Sequence, residues 1–298
     1  MVSMKRFPGL LLIILVVCLR TALTGQNRSI RSLRIDSDKF HIAILGDRTG
    51  AGPDSWKVFD RAVREVNQLN PDFTIMIGDI IEGAGANRVK LRIQWDEARS
   101  HLDSVQTPLV LIPGNHDITN RESYNYWKEQ IGKTYDAFSY RGCRFILINT
   151  EEGRGTDQAG LGDGQIAFVK QEIDGAKDQP IFMIMHQPMW IVESGLGEQW
   201  KTIEGWLGNR NYTVIAGHLH VLAGKRDRNH LFLIQGPTGG EMRMERNPAL
   251  GFFHHFTWMT VEGGIPSVAF IEPGRIYPEK TALQAYERYM QGMMLMGK

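Results

Sequence analysis

The sequence predicts an α/β fold, because short apolar runs alternate with amphipathic segments along most of the chain. The apolar runs are typical of buried strands. Several of the segments between them repeat apolar residues with a period of about 3.6, which is typical of helices that pack on a sheet. From His220 onward the pattern changes to consecutive strands. This order favours one α/β domain with a layered sheet core.

The apolar pattern places the individual elements. Buried strands are predicted at residues 40–45, 73–77, 109–112, 145–148, 181–185 and 213–216. Helices are predicted over residues 56–69, 91–105, 165–176 and 281–295. Two pairs of strands are predicted, 221–225 with 231–235 and 252–261 with 267–271.

Composition and charge exclude several classes of function. The 298 residues include 34 Lys and Arg against 33 Asp and Glu, so no net field attracts nucleic acid or anionic lipid. Binding of a polyanion would therefore depend on a local cluster of charges. Hydrophobic residues make up 42% of the chain, which is enough for a large core and excludes a disordered or fibrous protein.

The N-terminus has the pattern of a secretory signal peptide. Lys5 and Arg6 precede an apolar run at residues 10–19, and small and polar residues follow it. This run has about half of the ~20 residues needed to span a bilayer, so no transmembrane helix is expected in the mature chain. We expect residues 1–25 to be a signal peptide, residues 26–39 a linker, and the mature protein to be periplasmic or extracellular. Cys18 faintly resembles a lipoprotein attachment site, which makes a lipid anchor the alternative.

Five short motifs follow predicted strands, at the point where each strand ends. They are GDRTG at 46–50, GDIIE at 78–82, GNHD at 114–117, MHQP at 185–188 and GHLH at 217–220. Open α/β sheets bind ligands at the carboxyl ends of their strands, so these polar groups are expected at one edge of the sheet. Any one motif alone is typical of a turn or a helix cap. The five together, in order and all at strand ends, indicate a functional site.

The residue types in these motifs point to metal chemistry on an anionic substrate. Cations neutralise a phosphate ester and lower the pKa of water, and two cations roughly 3.5 to 4 Å apart can hold the attacking and leaving oxygens. Asp79 offers two oxygens on a short side chain, which suits a bridge between two cations. His218 and His220 would point to one face of an extended segment. Oxygen and nitrogen ligands without thiolate favour Fe, Mn or Zn.

In the order and spacing of these motifs, the chain resembles the calcineurin-like metallophosphoesterase superfamily, which includes the purple acid phosphatases. The resemblance covers residues 40–271, and segment 134–150 is similar to the hairpin that precedes the family's central strand. It implies a four-layer α/β/β/α sandwich. We therefore expect a phosphoesterase domain over residues 40–275 and a helical tail over residues 276–298. The implied activity is hydrolysis of a phosphate ester by a hydroxide that two metal ions activate.

The resemblance also implies roles for individual residues. Asp79 would bridge the two metal ions. The remaining ligands would be Asp47 and His220 on one ion and Asn115, His186 and His218 on the other. His116 would protonate the leaving oxygen, and Asp117 would orient His116. No protein nucleophile is required.

One position departs from the family pattern. The family usually has a His two residues after the first Asp, where this chain has Thr49, so the first metal ion lacks a common ligand. In the purple acid phosphatase branch a Tyr three residues after the bridging Asp meets this loss, and Glu82 stands at that spacing here. Glu82 is therefore predicted to complete the coordination of the first ion. The alternative is that Glu82 caps a helix or faces solvent.

Two arginines, one within a motif and one after a motif, are candidates for contact with substrate oxygens. Arg48 follows the first Asp and Arg121 follows GNHD, and a guanidinium group can bind phosphate through two parallel hydrogen bonds. His254 and His255 fall in a predicted strand, so at most one of them is expected to face the site.

Functions from other classes are less consistent with these residues. An exported, non-catalytic binding protein would keep the fold, but it would not need His116 or Asp117. A nuclease is disfavoured because the sequence has no basic aromatic groove. The expected substrate is a phosphate ester, and phosphomonoesters, cyclic nucleotides, phospholipid head groups and pyrophosphate all suit such a metal core. The sequence indicates no particular oligomeric state.

Overall fold

Twelve strands and seven α-helices are found in a computed structural model that describes residues 39–83, 87–158, 160–192 and 195–296. The strands are β1 Lys39–Leu45, β2 Phe73–Met76, β3 Leu109–Leu111, β4 Asp136–Tyr140, β5 Cys143–Ile148, β6 Ile181–Met185, β7 Tyr212–Ala216, β8 Ala223–Asp227, β9 His230–Ile234, β10 Phe256–Glu262, β11 Ile265–Glu272 and β12 Arg275–Pro278. The α-helices are α1 Ser55–Leu69, α2 Arg88–Leu102, α3 Arg121–Gln130, α4 Glu152–Gly155, α5 Asp163–Gly175, α6 Leu196–Leu207 and α7 Lys280–Met296. The predicted signal peptide and lipid-anchor site, and all of the predicted linker except Lys39, lie outside the described residues.

The strands form two six-stranded sheets. The order is β12-β11-β10-β1-β2-β3 in the first sheet and β4-β5-β6-β7-β9-β8 in the second. Strands β1, β2 and β3 are parallel to one another, as are β5, β6, β7 and β9. Parallel strands end at the same edge of a sheet, so the motifs after β1, β2 and β3 gather at one edge of the first sheet. Those after β6 and β7 gather at one edge of the second.

The sheets pack face to face and helices cover their outer faces. Successive residues of a strand point to opposite faces, and along β1 this places Ile42 between the sheets with Phe145 of β5. The next residue, Ala43, instead packs on the outer side with Phe59 of α1. Helices α5 and α6 cover the second sheet in the same way, for example through Val169. The predicted four-layer α/β/β/α sandwich is confirmed.

Side-chain caps fix where the helices after the second and third motifs begin. Helix α2 begins after Asn87, whose side chain accepts the backbone N–H of Lys90 at 3.1 Å. Helix α3 begins after Asn120, which forms a capping box with Ser123. Helix α3 therefore begins four residues after Asp117, the last residue of GNHD.

The chain before β10 differs from the prediction. The strand begins at Phe256, so His254 and His255 precede it. The chain turns at Gly251, whose φ of 84° is left-handed, and Asn247 pairs with Phe252 to close a tight loop. This turn replaces the extended start that the apolar pattern predicted.

The terminal helix α7 lies against the rest of the fold. Ala282 of this helix belongs to the core between the two sheets. No helix within the described residues has the length and apolar character needed to cross a membrane.

Candidate metal centre

Two aspartates lie at the centre of the site, after β1 and β2. Asp47 is fully buried and Asp79 is 2% exposed. The Asp47 oxygens accept the backbone N–H of His218 at 3.0 and 3.2 Å, which joins the loop after β1 to the loop after β7 in the other sheet. Asp79 Oδ1 accepts the backbone N–H of His116 at 2.9 Å. Each carboxylate therefore links its own loop to a neighbouring motif.

Two histidines from the second sheet turn their Nε2 atoms toward these carboxylates. His186 Nδ1 lies 2.9 Å from a backbone carbonyl just after β2, and His220 Nδ1 lies 2.5 Å from the carbonyl of Glu241. A carbonyl only accepts, so Nδ1 carries the hydrogen and Nε2 is the atom available to a metal. His186 Nε2 is 3.3 Å from Asp79 Oδ1, and His220 Nε2 is 3.7 Å from Asp47 Oδ1.

The donor atoms converge closely enough to fit a cation. Asn115 Oδ1 lies 3.1 Å from His186 Nε2. Ligand atoms of Asp47, Asp79 and His220 all lie within 4.8 Å of one another. Buried carboxylates this close repel each other unless a positive charge lies beside them. Oxygen and nitrogen donors in this arrangement suit a metal ion.

Electrostatics inside the cluster favour a positive charge. Burial opposes protonation of His186, but the carboxylates of Asp79 and Asp47 outweigh it and raise the pKa of His186 to about 10. Burial raises the pKa of Asp47, although His186 and His220 oppose this. A metal ion that binds here must displace the proton on His186, so metal affinity should fall as the pH is lowered.

Three of the candidate ligands have left-handed backbone conformations. The φ values are 53° for Asp79, 71° for His218 and 54° for His220. Such residues cost about 1 to 3 kcal/mol each and are concentrated at functional sites. The GHLH segment therefore turns instead of extending as predicted. The turn brings the His218 ring edge-on to the His186 ring, with centroids 5.2 Å apart.

Two motif glycines are required for the close approach of the loops. A Cβ on Gly114 would lie 2.2 Å from Asp79 Oδ1 and 2.8 Å from His186 Cε1. A Cβ on Gly78, whose φ is 93°, would lie 2.7 Å from His186 Nδ1. Any side chain at either position would displace a candidate ligand.

His116 is the imidazole on the open side of the cluster. Its side chain is 38% exposed, and its Nε2 lies 4.0 Å from Asp79 Oδ2. Its Nδ1 lies 2.8 Å from the backbone carbonyl of Glu82, so Nδ1 carries a hydrogen and Nε2 is the ring nitrogen that this contact leaves open.

Asp117 has different partners from those predicted. Its Oδ1 accepts the backbone N–H groups of residues 80 and 81 at 2.9 and 3.1 Å, and its Oδ2 accepts that of Gly114 at 2.8 Å. Asp117 thus joins the loops after β2 and β3, whereas a backbone carbonyl orients the His116 ring. Burial and the neighbouring Asp79 raise the pKa of Asp117 to about 7.

Glu82 and Arg48 bind each other. Arg48 Nη1 lies 3.1 Å from Glu82 Oε1, and the backbone N–H of Gly50 donates to the same carboxylate at 3.3 and 3.2 Å. Arg48 is 5% exposed, donates from Nε to the carbonyl of Ile80 at 2.9 Å, and lies 4.3 Å over the Trp56 ring. A buried guanidinium needs such partners. The structure therefore pairs Glu82 with Arg48, outside the group formed by Asp47, Asp79 and His220, and protein groups hold the Arg48 guanidinium.

Thr49 and Arg121 are the two remaining positions that the sequence analysis marked. Thr49 is buried, and its Oγ1 has no hydrogen-bond partner within the described residues. Arg121 Nη2 lies 2.5 Å from Asp157 Oδ1 and its side chain is 60% exposed, so this arginine pairs with a carboxylate at the surface.

Arg243 is a cation near the site that no motif marked. Burial, and then the charge of His186, lower the pKa of His218 to about 4, and Arg243 adds to this effect. Its positive charge is therefore close enough to act on a candidate ligand. In the sequence, only the position of Arg243 in the loop after β9 could have indicated that it lies near the site. An exposed arginine forms no periodic pattern or motif that would mark it.

Comparisons with known proteins agree with this geometry. A family model described as calcineurin-like phosphoesterase matches residues 40–222. Serine/threonine-protein phosphatase CPPED1 of Bos taurus is 24% identical over 222 residues, which cover 64% of this chain and 68% of that protein. Glycerophosphodiester phosphodiesterase GpdQ of Enterobacter lignolyticus is 28% identical over 134 residues, which cover 41% of this chain and 46% of that protein.

Solved structures show the same fold. A dimetal phosphatase from Danio rerio has a TM-score of 0.60 at 13% identity, and the match covers 78% of this chain and 95% of that one. GAP50, the anchor in the inner membrane complex of Plasmodium, has a TM-score of 0.57 at 12% identity, with 80% and 88% covered. The family model spans more than half of the sequence and includes all five motifs. The chain therefore belongs to the calcineurin-like phosphoesterase family and is a metal-dependent phosphoester hydrolase.

Proposed function

We propose that the chain hydrolyses its phosphate ester at a centre of two metal ions. The observation that carries the proposal is the convergence of buried carboxylates with imidazole Nε2 atoms whose Nδ1 atoms are held by backbone carbonyls. Asp79 would bridge the ions. The first ion would be bound by Asp47 and His220, and the second by Asn115, His186 and His218.

The chain's own residues would then supply binding and proton transfer. Two bound ions would neutralise the phosphate charge and lower the pKa of a water molecule. His116 would hold the proton for the leaving oxygen at Nε2, since its Nδ1 is fixed by the carbonyl of Glu82. Asp117 would keep that imidazole in place indirectly, by joining the loops that carry His116 and Asp79.

We propose Fe, Mn or Zn as the bound metals. The candidate ligands are oxygen and nitrogen atoms, and Cys143 lies in the core between the sheets. Burial raises the pKa of this thiol to about 11, so it stays protonated at neutral pH. Reconstitution of the metal-free chain with each ion, followed by turnover of an aryl phosphate, identifies the metal. No turnover with any of these ions and a panel of phosphate esters would favour the non-catalytic binding protein.

The role of His116 can be tested through the leaving group. We expect His116→Ala to keep its metal content but to lower kcat by roughly 10² to 10⁴ for alkyl phosphates. The loss should be smaller for p-nitrophenyl phosphate, whose leaving group needs no proton.

His230→Ala is a matched control, because His230 stacks on Tyr212 at the start of β9, at the opposite end of that strand from the motifs. We expect its kcat to be unchanged. An equal loss of kcat for all leaving groups in His116→Ala would contradict the proton-donor role.

A further inference from the structure

A cavity of about 550 Å³ lies where the first turns of α1, the loop before β10 and the turn between β11 and β12 meet. This volume suits a small molecule, since ligand pockets are typically about 300 to 1,000 Å³. Four of its lining side chains are cationic and one is a carboxylate, and these are Lys57, Arg61, Arg246, Arg275 and Glu272. The whole chain has nearly equal numbers of both charges, so this is a local concentration of positive charge.

The carboxylate of the cavity is already neutralised. Arg246 binds Glu272 through two hydrogen bonds of 2.6 Å, and Tyr277 Oη donates to the same group at 2.8 Å. Lys57 is likewise paired, with Asp54 Oδ1 at 2.7 Å, whereas Arg61 and Arg275 form no ion pair with any carboxylate that the structure describes. Two exposed guanidinium groups therefore line a concave surface outside any ion pair, and Arg275 acts on the Glu272 carboxylate only from a longer distance.

One loop connects this cavity to the candidate metal centre. The backbone N–H of Gly240 donates to the carbonyl of Asp47 at 2.9 Å, and Arg246 of the same loop lines the cavity. On the other side, the backbone N–H of Gly239 donates to Nδ1 of His254, another lining residue, at 3.3 Å. The segment between β9 and β10 therefore both contacts the candidate metal centre and lines the cavity.

We propose that this cavity is a second anion site that binds a phosphate group. Guanidinium groups are suited to phosphate because their planar donors match its oxygens in pairs. The phosphate would be either a second phosphoryl group of the substrate or free inorganic phosphate. Binding of the anion depends on the cavity alone, whereas a contribution to substrate recognition rests on the proposed function.

Titration of the purified full chain with inorganic phosphate, followed by calorimetry, tests the site. We expect two binding events. Chelation of the metals should remove one, and the double variant Arg61→Gln/Arg275→Gln should weaken the other at least tenfold. Arg64→Gln, an exposed arginine on the same helix, is the control and should leave both events unchanged.

The outcomes separate the two proposals. If the double variant retains both events, or if Arg64→Gln weakens binding equally, the cavity is not a specific anion site. If chelation removes neither event, the metal centre does not bind phosphate and the proposed function fails, while the cavity site still stands.

Kinetics identify the source of the phosphate. If the substrate fills the cavity, the double variant raises KM about tenfold for a substrate with a second phosphoryl group and leaves KM for a simple aryl phosphate unchanged. If neither KM changes while phosphate binding is weakened, free phosphate is the occupant.

Discussion

The candidate metal ligands and the arginines marked by the same motifs have different partners in the structure. Asp47, Asp79 and His186 are buried and converge, whereas Arg48 and Arg121 bind carboxylates of the protein. Buried carboxylates and imidazoles need partners of opposite charge or hydrogen-bonding groups nearby. Their positions at the ends of strands bring them together as partners of one another. Each arginine, buried like Arg48 or exposed like Arg121, pairs with a carboxylate that lies close to it. Position within a motif therefore predicts membership of the buried cluster for the carboxylates and imidazoles, but not the partner of an arginine.

Removal of the bridging carboxylate should have the largest effect on the metal-facing group. We expect Asp79→Ala to lose both metal ions and nearly all turnover, because Asp79 would belong to both coordination spheres. Metal content is measured by mass spectrometry of the purified variant. Asp157→Ala, which removes only the surface partner of Arg121, serves as the control. Two tightly bound ions in Asp79→Ala would exclude the bridge.

A buried histidine outside the candidate metal centre extends the comparison. His255 packs 4.4 Å from Phe253 between ring centroids, and burial lowers its pKa to about 4. As the pH falls below about 6.5 the unfolded chain binds a proton that the folded chain excludes until about pH 4. This histidine therefore stabilises the fold at neutral pH, and the stabilisation, about 3 kcal/mol at most, is lost between these two pH values.

His255→Asn isolates that effect, because Asn keeps a donor for the carbonyl of Phe253. We expect the variant to lose less stability than the parent chain between pH 7 and pH 5, as measured by urea unfolding. Any fixed cost of the substitution cancels in this difference. Parallel pH dependences of the two proteins would show that His255 does not titrate in this range.

The sequence predicted the layers of the fold and the set of residues at the centre more fully than their local partners. Strand ends and motif order were sufficient to bring Asp47, Asp79 and His186 together. The left-handed turn at His218 and the partners of Asp117 were not predicted, because both depend on backbone groups of loops distant in sequence. Every residue type except proline has the same backbone carbonyl and N–H groups, so the sequence does not show which of them a side chain will contact.

The arginines can be separated by their effect on substrate binding. Arg243 acts on His218 electrostatically, whereas Arg121 is paired with Asp157. We expect Arg243→Ala to raise KM for a phosphomonoester about tenfold, equivalent to about 1.4 kcal/mol, and Arg121→Ala to leave it nearly unchanged. Both variants should keep their metal. A larger change in KM for Arg121→Ala would restore the interpretation made from the sequence.

Substitution of Glu82 should have the smallest effect of these variants. Glu82 was predicted to be a metal ligand, but in the structure it is a partner of an arginine. Its carboxylate binds Arg48 and the N–H of Gly50, although its spacing from Asp79 predicted a metal ligand. We expect Glu82→Gln to leave metal affinity unchanged, because the carboxylate is already held by these donors. The variant should lose about 1 kcal/mol of stability, since Gln still accepts a hydrogen bond but leaves the buried Arg48 without its counter-ion. The side chain is 41% exposed, so solvent limits the cost.

Metal titration of Glu82→Gln, compared with Glu97→Gln, distinguishes a ligand from a partner of Arg48. Glu97 also acts on Arg48 electrostatically, so both variants weaken the field around this guanidinium. Only Glu82 stands three residues after Asp79. If Glu82→Gln alone weakens the binding of one ion, the Glu82 carboxylate must leave Arg48 when metal binds. Glu82 would then be the ligand that replaces the family's His, where this chain has Thr49. If neither variant changes metal affinity, Glu82 belongs with the arginines, and the first ion has Asp47, Asp79 and His220 as its protein ligands.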